Sequence, residues 1–160
     1  MQHCCLSIDI DFLKRSNDAY GHSPDDRALP AIASCIRKAV RLGDTVARDG
    51  GEESGALVHG MAADAWTTAE RLRLAVESLD MQDNGETVPL TESIGVAACA
   101  RTSGSPDGAI AAQALPDSAD RAMYRARRIG RSRVKSDPGV PGSAQSPDAA
   151  ADQQASLKHA

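Results

Sequence analysis

The chain has 160 residues, a net charge of −4 and only 2% aromatic residues. That length allows one ordinary domain with some excess, and the low aromatic content means a core built from Ala, Leu, Ile and Val. The negative balance argues against a general binder of nucleic-acid polymers or anionic membranes, which needs a positive field. A local basic patch can still hold a nucleotide.

Residues Cys4 to Ile10 alternate, with Cys4, Leu6, Ile8 and Ile10 on one face and Cys5, Ser7 and Asp9 on the other, which predicts a strand. Leu29, Ile32, Ala33, Ile36 and Val40 form a helical stripe over 29–40. Pro30 suits the first turn of that helix better than its interior. Thr45–Arg48 and Ala56–His59 flank Gly50-Gly51-Glu52-Glu53 and predict a β-hairpin. A second helix is expected over Ala63–Leu79, a strand over Val88–Cys99, a third helix over Pro116–Ile129 and a short strand over Arg133–Lys135. Strands alternating with helices predict an α/β sandwich, helices packed on a mixed sheet. From Ser136 to Ala160 the chain is rich in Pro, Gly, Ser, Ala, Gln and Asp. This composition predicts a disordered tail, and the ordered domain is expected over residues 1–135.

The four cysteines, Cys4, Cys5, Cys35 and Cys99, form no C-x-x-C pair. Neither a zinc site nor a disulfide framework follows from them, and buried or incidental thiols in a reducing compartment are expected. No stretch is apolar and long enough to span a membrane, and no signal peptide is visible, so a cytoplasmic location is expected.

Two acid pairs carry the chemistry. Strand geometry places Asp9 and Asp11 on one face at the end of the first strand. Glu52 and Glu53 stand at the tip of the Gly-Gly hairpin, where glycine permits positive φ. Alone, either pair is more often a solvated surface feature. If the two strands are neighbours, the pairs make an acidic cluster of hard oxygens at one sheet end, the ligand type that suits Mg²⁺, which in turn holds phosphates.

The constellation is more specific than its parts. Asp9-Ile10-Asp11-Phe12-Leu13-Lys14 is followed by Asn17-Asp18, Gly21-His22 and Asp26. Then come Arg41-Leu42-Gly43-Asp44, Gly50-Gly51-Glu52-Glu53-Ser54, Ser93-Ile94-Gly95-Val96, and Ala119-Asp120 through Tyr124-Arg125-Ala126-Arg127 to Gly130-Arg131. In order and spacing these blocks resemble the GGDEF family of diguanylate cyclases across residues 4 to 135. The resemblance implies a nucleotidyl cyclase-like fold of α/β (α+β) class, a mixed sheet flanked by helices. It implies condensation of two GTP molecules into cyclic di-GMP with release of pyrophosphate, by a homodimer in which each domain holds one GTP. It implies Mg²⁺ or Mn²⁺ held by Asp9, the Ile10 carbonyl and Glu52. Glu52, Glu53 and Lys14 become catalytic residues. Asn17 and Asp26 read guanine, and Arg127 and Arg131 hold the triphosphate. Arg41 and Asp44, helped by Arg71, form an inhibitory site for the product.

Several positions depart from the family pattern. Ser54 replaces an aromatic, Asp49 another aromatic, and Asp25 a glycine. Arg127 stands where lysine is usual, and Glu92 falls at an apolar strand position. The family's opening helix, which covers one sheet face and borders the nucleotide pocket, has no counterpart in the sequence, so uncovered apolar surface is expected. The alternative function is therefore a catalytically degenerate domain that binds cyclic di-GMP or GTP without turnover.

Overall fold

A computed structural model of the chain describes residues 2–11, 23–83, 85–100 and 113–137. The elements run β1 (Gln2–Ile10), α1 (Ser23–Ala39), β2 (Thr45–Gly50), β3 (Glu53–Gly60), α2 (Ala62–Glu77), β4 (Gln82–Asp83), β5 (Glu86–Thr87), β6 (Glu92–Ala100), α3 (Leu115–Arg128) and β7 (Arg133–Ser136). The main sheet has five strands in the order β2-β3-β1-β6-β7. Its pairings are antiparallel except β6 with β7, which is parallel. The sheet is therefore mixed, with β1 at its centre, and the fold is of the α+β class.

The alternation in β1 assigns its two faces. Leu6 and Ile8 are fully buried and lie across from Val96 and Ile94 of β6 and Ala56 and Ser54 of β3. On this face lie α1, burying Ala28, Ile32, Ile36 and Ala39, and α2, burying Ala65, Ala69, Leu72 and Val76. The other face is covered by α3 through Leu115, Ala119, Ala122, Met123 and Ala126. Small residues let α3 approach closely. A Cβ placed on Gly95 would collide with the Ala119 carbonyl and the Met123 amide, so only glycine fits between that helix and β6. From the same face Ser7 Oγ donates to Asp120 at 2.5 Å, tying β1 to α3.

The elements differ from the sequence expectation in three places. Helix α1 starts at Ser23, so Pro30 sits inside it. Its missing N–H costs one intrahelical bond, and the buried stripe from Ala28 to Ala39 holds the helix through it. The strand expected from Val88 begins only at Glu92. Pro89 has no N–H for a ladder, and Val88 N instead donates to Met81 O at 2.8 Å. Between α2 and β6 the small β4–β5 ribbon forms, which periodicity does not reveal. Strand β7 runs to Ser136, one residue into the expected tail, and residues 138–160 lie outside the described residues.

Beneath the hairpin lies a cavity of about 410 Å³, lined by Ile10, Leu29, Ile32, Ile36, Val46 and Ser54 among others. Among the described residues no helix is long and apolar enough to cross a membrane.

Candidate active site

The end of β1 carries the site. Asp9 pairs across the sheet with Glu53 of β3 and Ser93 of β6. Ile10 N donates to Glu52 O at 3.4 Å, which fastens the hairpin tip to the strand end. Gly50 and Gly51 turn the hairpin with φ of 147° and 48°, and Arg48 braces it by donating from Nε and Nη2 to Gly51 O at 3.2 and 2.6 Å. Asp49 falls in a bulge between Arg48 and Gly50 and is exposed. A bulge shortens the pairing just where the acids must turn outward.

The two aspartates of the first acid pair have separate roles. Asp11 lies just past β1 and is 5% exposed. Its Oδ1 accepts from Ser93 Oγ at 2.7 Å, and its Oδ2 accepts from Thr91 Oγ1 at 2.9 Å and from Ser132 N at 3.0 Å. Arg131 Nε stands 3.8 Å from Asp11 Oδ1. Asp11 is therefore a clamp joining β1, β6 and the turn after α3. Asp9 is fully buried, and Arg127 Nη1 donates to its Oδ2 at 3.0 Å. Its Oδ1 is buried with no hydrogen-bond partner. Burial pushes the Asp9 carboxyl up to about 7, with Arg127 pulling it down and Glu52, Glu53 and Asp11 pushing it further up.

A divalent cation fits this place, because an orphaned buried carboxylate oxygen facing further acids is what a hard cation relieves. The donors would be Asp9, the Ile10 carbonyl and Glu52, with Glu53 directly across from Asp9. Among the described residues no three His, Cys, Asp or Glu side chains already converge in ligating geometry, and Glu52 stands half-buried at the hairpin tip. The basic side is supplied by α3 and the turn behind it. Arg127 is in the last turn of the helix, and Arg131 and Ser132 follow with left-handed φ of 62° and 45°. Lys14 and Asn17 lie outside the described residues. Asp26 is in the first turn of α1, and its side chain lies outside them too.

A second group of expected residues sits at the opposite end of the sheet. In the α1–β2 turn Asp44 N donates to Arg41 O at 3.1 Å, and Arg41 N donates to Asp44 Oδ2 at 2.8 Å. Asp44 Oδ1 accepts from His59 N at 3.1 Å and lies 3.5 Å from His59 Nδ1. Burial raises the Asp44 carboxyl, but the bonds from Arg41 and His59 outweigh it, and the net shift is below the usual carboxylate range. Arg71 Nη2 donates to Ala39 O at 2.5 Å, closing the end of α1 beside this turn.

Sequence reasoning missed Thr91 and Ser132 as clamp partners of Asp11, and His59 as the neighbour of Asp44. No sequence signal marks those contacts, since each joins residues distant in the chain. Glu92, an anomaly in sequence, is fully buried with both carboxylate oxygens unpartnered.

Residues 2–133 match the family model described as diguanylate cyclase, GGDEF domain. The chain belongs to the GGDEF family. It is 38% identical over 130 residues to diguanylate cyclase A of Treponema denticola, covering 81% of this chain and 33% of that protein. It is 38% identical over 129 residues to diguanylate cyclase DgcP of Pseudomonas aeruginosa, covering 80% of this chain and 18% of that protein. The chain thus spans a third or less of the length of these relatives. Among solved structures it resembles the GGDEF domain of DgcB from Caulobacter crescentus in complex with c-di-GMP. The TM-score is 0.75 at 29% identity, over 84% of this chain and 77% of that one. It also resembles the active GGEEF domain of a diguanylate cyclase from Vibrio cholerae, with a TM-score of 0.72 at 26% identity, over 86% and 83% of the two chains. The GGDEF motif is here Gly50-Gly51-Glu52-Glu53-Ser54.

Proposed function

We propose that this GGDEF domain is a diguanylate cyclase domain, joining two GTP molecules into cyclic di-GMP. The observation that carries the reading is the orphaned Asp9 Oδ1, buried at the strand end beside Glu52 and Glu53 and backed by Arg127. The reaction takes two reciprocal steps, and in each the 3′-oxygen of one GTP bonds to the α-phosphorus of the other. The bond to pyrophosphate breaks, and the hydroxyl proton leaves to a base. Glu52 or Glu53, on the tip fastened to Ile10, accepts that proton. Arg127 and Arg131, with Lys14, hold the triphosphate; at the guanine edge Asn17 donates and accepts, and the Asp26 carboxylate accepts from N1–H and N2–H₂. Mg²⁺ or Mn²⁺ bound at Asp9, the Ile10 carbonyl and Glu52 supplies charge neutralisation at the reacting phosphate. One domain holds one GTP, so the working form is a homodimer in which two such sites face each other.

Incubation of the whole chain with GTP and Mg²⁺ is expected to yield cyclic di-GMP, and Glu52→Gln is expected to abolish the product while leaving the melting temperature within a few degrees. Full turnover by Glu52→Gln would overturn the catalytic assignment. A second reading, a domain that binds cyclic di-GMP or GTP without turnover, is favoured by the cavity beneath the hairpin at Ser54. A wild type that binds either nucleotide and releases no pyrophosphate would establish it.

A further inference from the structure

At the basic end of the site the backbone leaves α3 by an uncommon path. Gly130, Arg131 and Ser132 follow one another with φ of 120°, 62° and 45°. The left-handed region is costly for a residue with a Cβ, and it persists only where the surroundings hold it. Here the turn is held from several sides. Arg131 N donates to Ala126 O at 3.0 Å, and Arg131 O accepts from Arg133 Nε at 2.8 Å. Ser132 N donates to Asp11 Oδ2 at 3.0 Å. From α2, Arg73 is fixed by Glu70 and Glu77 at 3.0 and 2.8 Å and reaches Ser132 Oγ at 3.5 Å.

We propose that Asp11 is a positioning residue for the triphosphate: through Ser132 N and the Arg131 guanidinium it fixes the left-handed turn that aims Arg131 at the phosphates. This rests on the reading of Arg131 as a triphosphate contact. The bonding of Asp11 separates it from the metal acids. Its Oδ2 already takes two donors, Thr91 Oγ1 and Ser132 N, and its Oδ1 takes Ser93 Oγ with Arg131 Nε 3.8 Å away. A carboxylate has about four acceptor sites, so Asp11 is occupied by its own fold, whereas Asp9 keeps a bare oxygen. The Asp11 side chain is fully buried and that of Arg131 is 35% exposed. The guanidinium therefore stands between a buried anchor and the solvent from which a nucleotide arrives. With Nε turned to Asp11, the outer edge of the fork, Nη1 and Nη2, is the edge that meets phosphate oxygens. A right-handed turn would send the Arg131 side chain elsewhere, and shifts of about 1 Å matter at a reacting phosphate.

NMR titration of the whole chain with two probes tests this: the α,β-methylene analogue of GTP, which cannot release pyrophosphate, and guanosine, which has no phosphate. In Asp11→Ala the analogue should bind about tenfold more weakly, the worth of one charge-assisted contact, with guanosine within about twofold of wild type. In an Arg131→Gln background the same substitution should change analogue affinity by less than about twofold, because the residue it acts through is gone. Equal weakening of both probes, or the same loss with and without Arg131, overturns the positioning role. If Asp11→Ala does not fold, Ser132→Pro carries the test, since proline has no N–H for Asp11 and cannot take a φ of 45°. It should weaken the analogue about tenfold and leave guanosine unchanged; analogue affinity equal to wild type overturns the proposal. An Arg131→Gln variant that binds the analogue as tightly as wild type overturns the triphosphate reading itself. A wild type that shows the positioning effect and makes no cyclic di-GMP overturns the cyclase reading and leaves the positioning role standing.

Discussion

Replacing Glu92 should stabilise the domain, and by an amount that depends on pH. Glu92 is fully buried on β6, opposite Ile10, with neither oxygen bonded. Burial, reinforced by Asp11 and then Asp9, pushes its carboxyl from 4.5 up to about 8. A carboxyl with a raised folded value keeps its proton in the native state while the unfolded chain loses it. The native state therefore binds more protons above about pH 4.5, and stability falls as pH rises until the folded group also ionises near pH 8. Each tenfold gain in proton affinity on folding corresponds to about 1.4 kcal/mol, so the cost is roughly 3 kcal/mol at pH 7 and levels off above pH 8. Glu92→Val has nearly the same volume, suits a strand and carries no charge. Urea melts of both proteins at pH 5, 6, 7 and 8 should show the variant more stable by roughly 3 kcal/mol at pH 7, with the difference shrinking toward pH 5. Parallel pH profiles, or a variant less stable at pH 8, would refute the account of Glu92 as an unpaired buried acid.

Three further perturbations follow from the packing and the site. Ser54 lines the cavity with Ile10, Ile32, Ile36 and Val46, so Ser54→Phe should fill it and stabilise the fold by about 1–2 kcal/mol; a lowered melting temperature would show that a ring has no place there. Gly95→Ala drives a methyl into the Ala119 carbonyl and the Met123 amide. It should cost on the order of 3 kcal/mol, and a melt within one degree of wild type would contradict the close approach of α3. Arg127 is the group that lowers the Asp9 carboxyl, so Mn²⁺ affinity of the wild type should rise with pH through about 7. In Arg127→Gln that rise should move to higher pH, and an unmoved profile would exclude Asp9 as the controlling acid.

Much of the frame was legible in the chain itself, because it rests on local rules. Alternation from Cys4 to Ile10 predicts a strand with one buried face, and the structure buries Cys4, Leu6, Ile8 and Ile10. The helical stripe over 29–40 and the Gly50-Gly51 turn are equally local, and the order of motif blocks named the family. What only the tertiary structure decided is which polar groups meet. Asp9 and Asp11 look equivalent in sequence. One becomes a clamp satisfied by Thr91, Ser93 and Ser132, and the other keeps a bare oxygen beside Arg127. Those partners lie 80 to 121 positions away along the chain. The same holds for His59, fifteen residues beyond Asp44 and brought to it by the β2–β3 hairpin. Periodicity reports which side of an element faces the core, since burial is a property of the element. It carries no information on which acceptor receives which donor across the sheet, because hydrogen bonds are short and directional and are settled only when the layers pack.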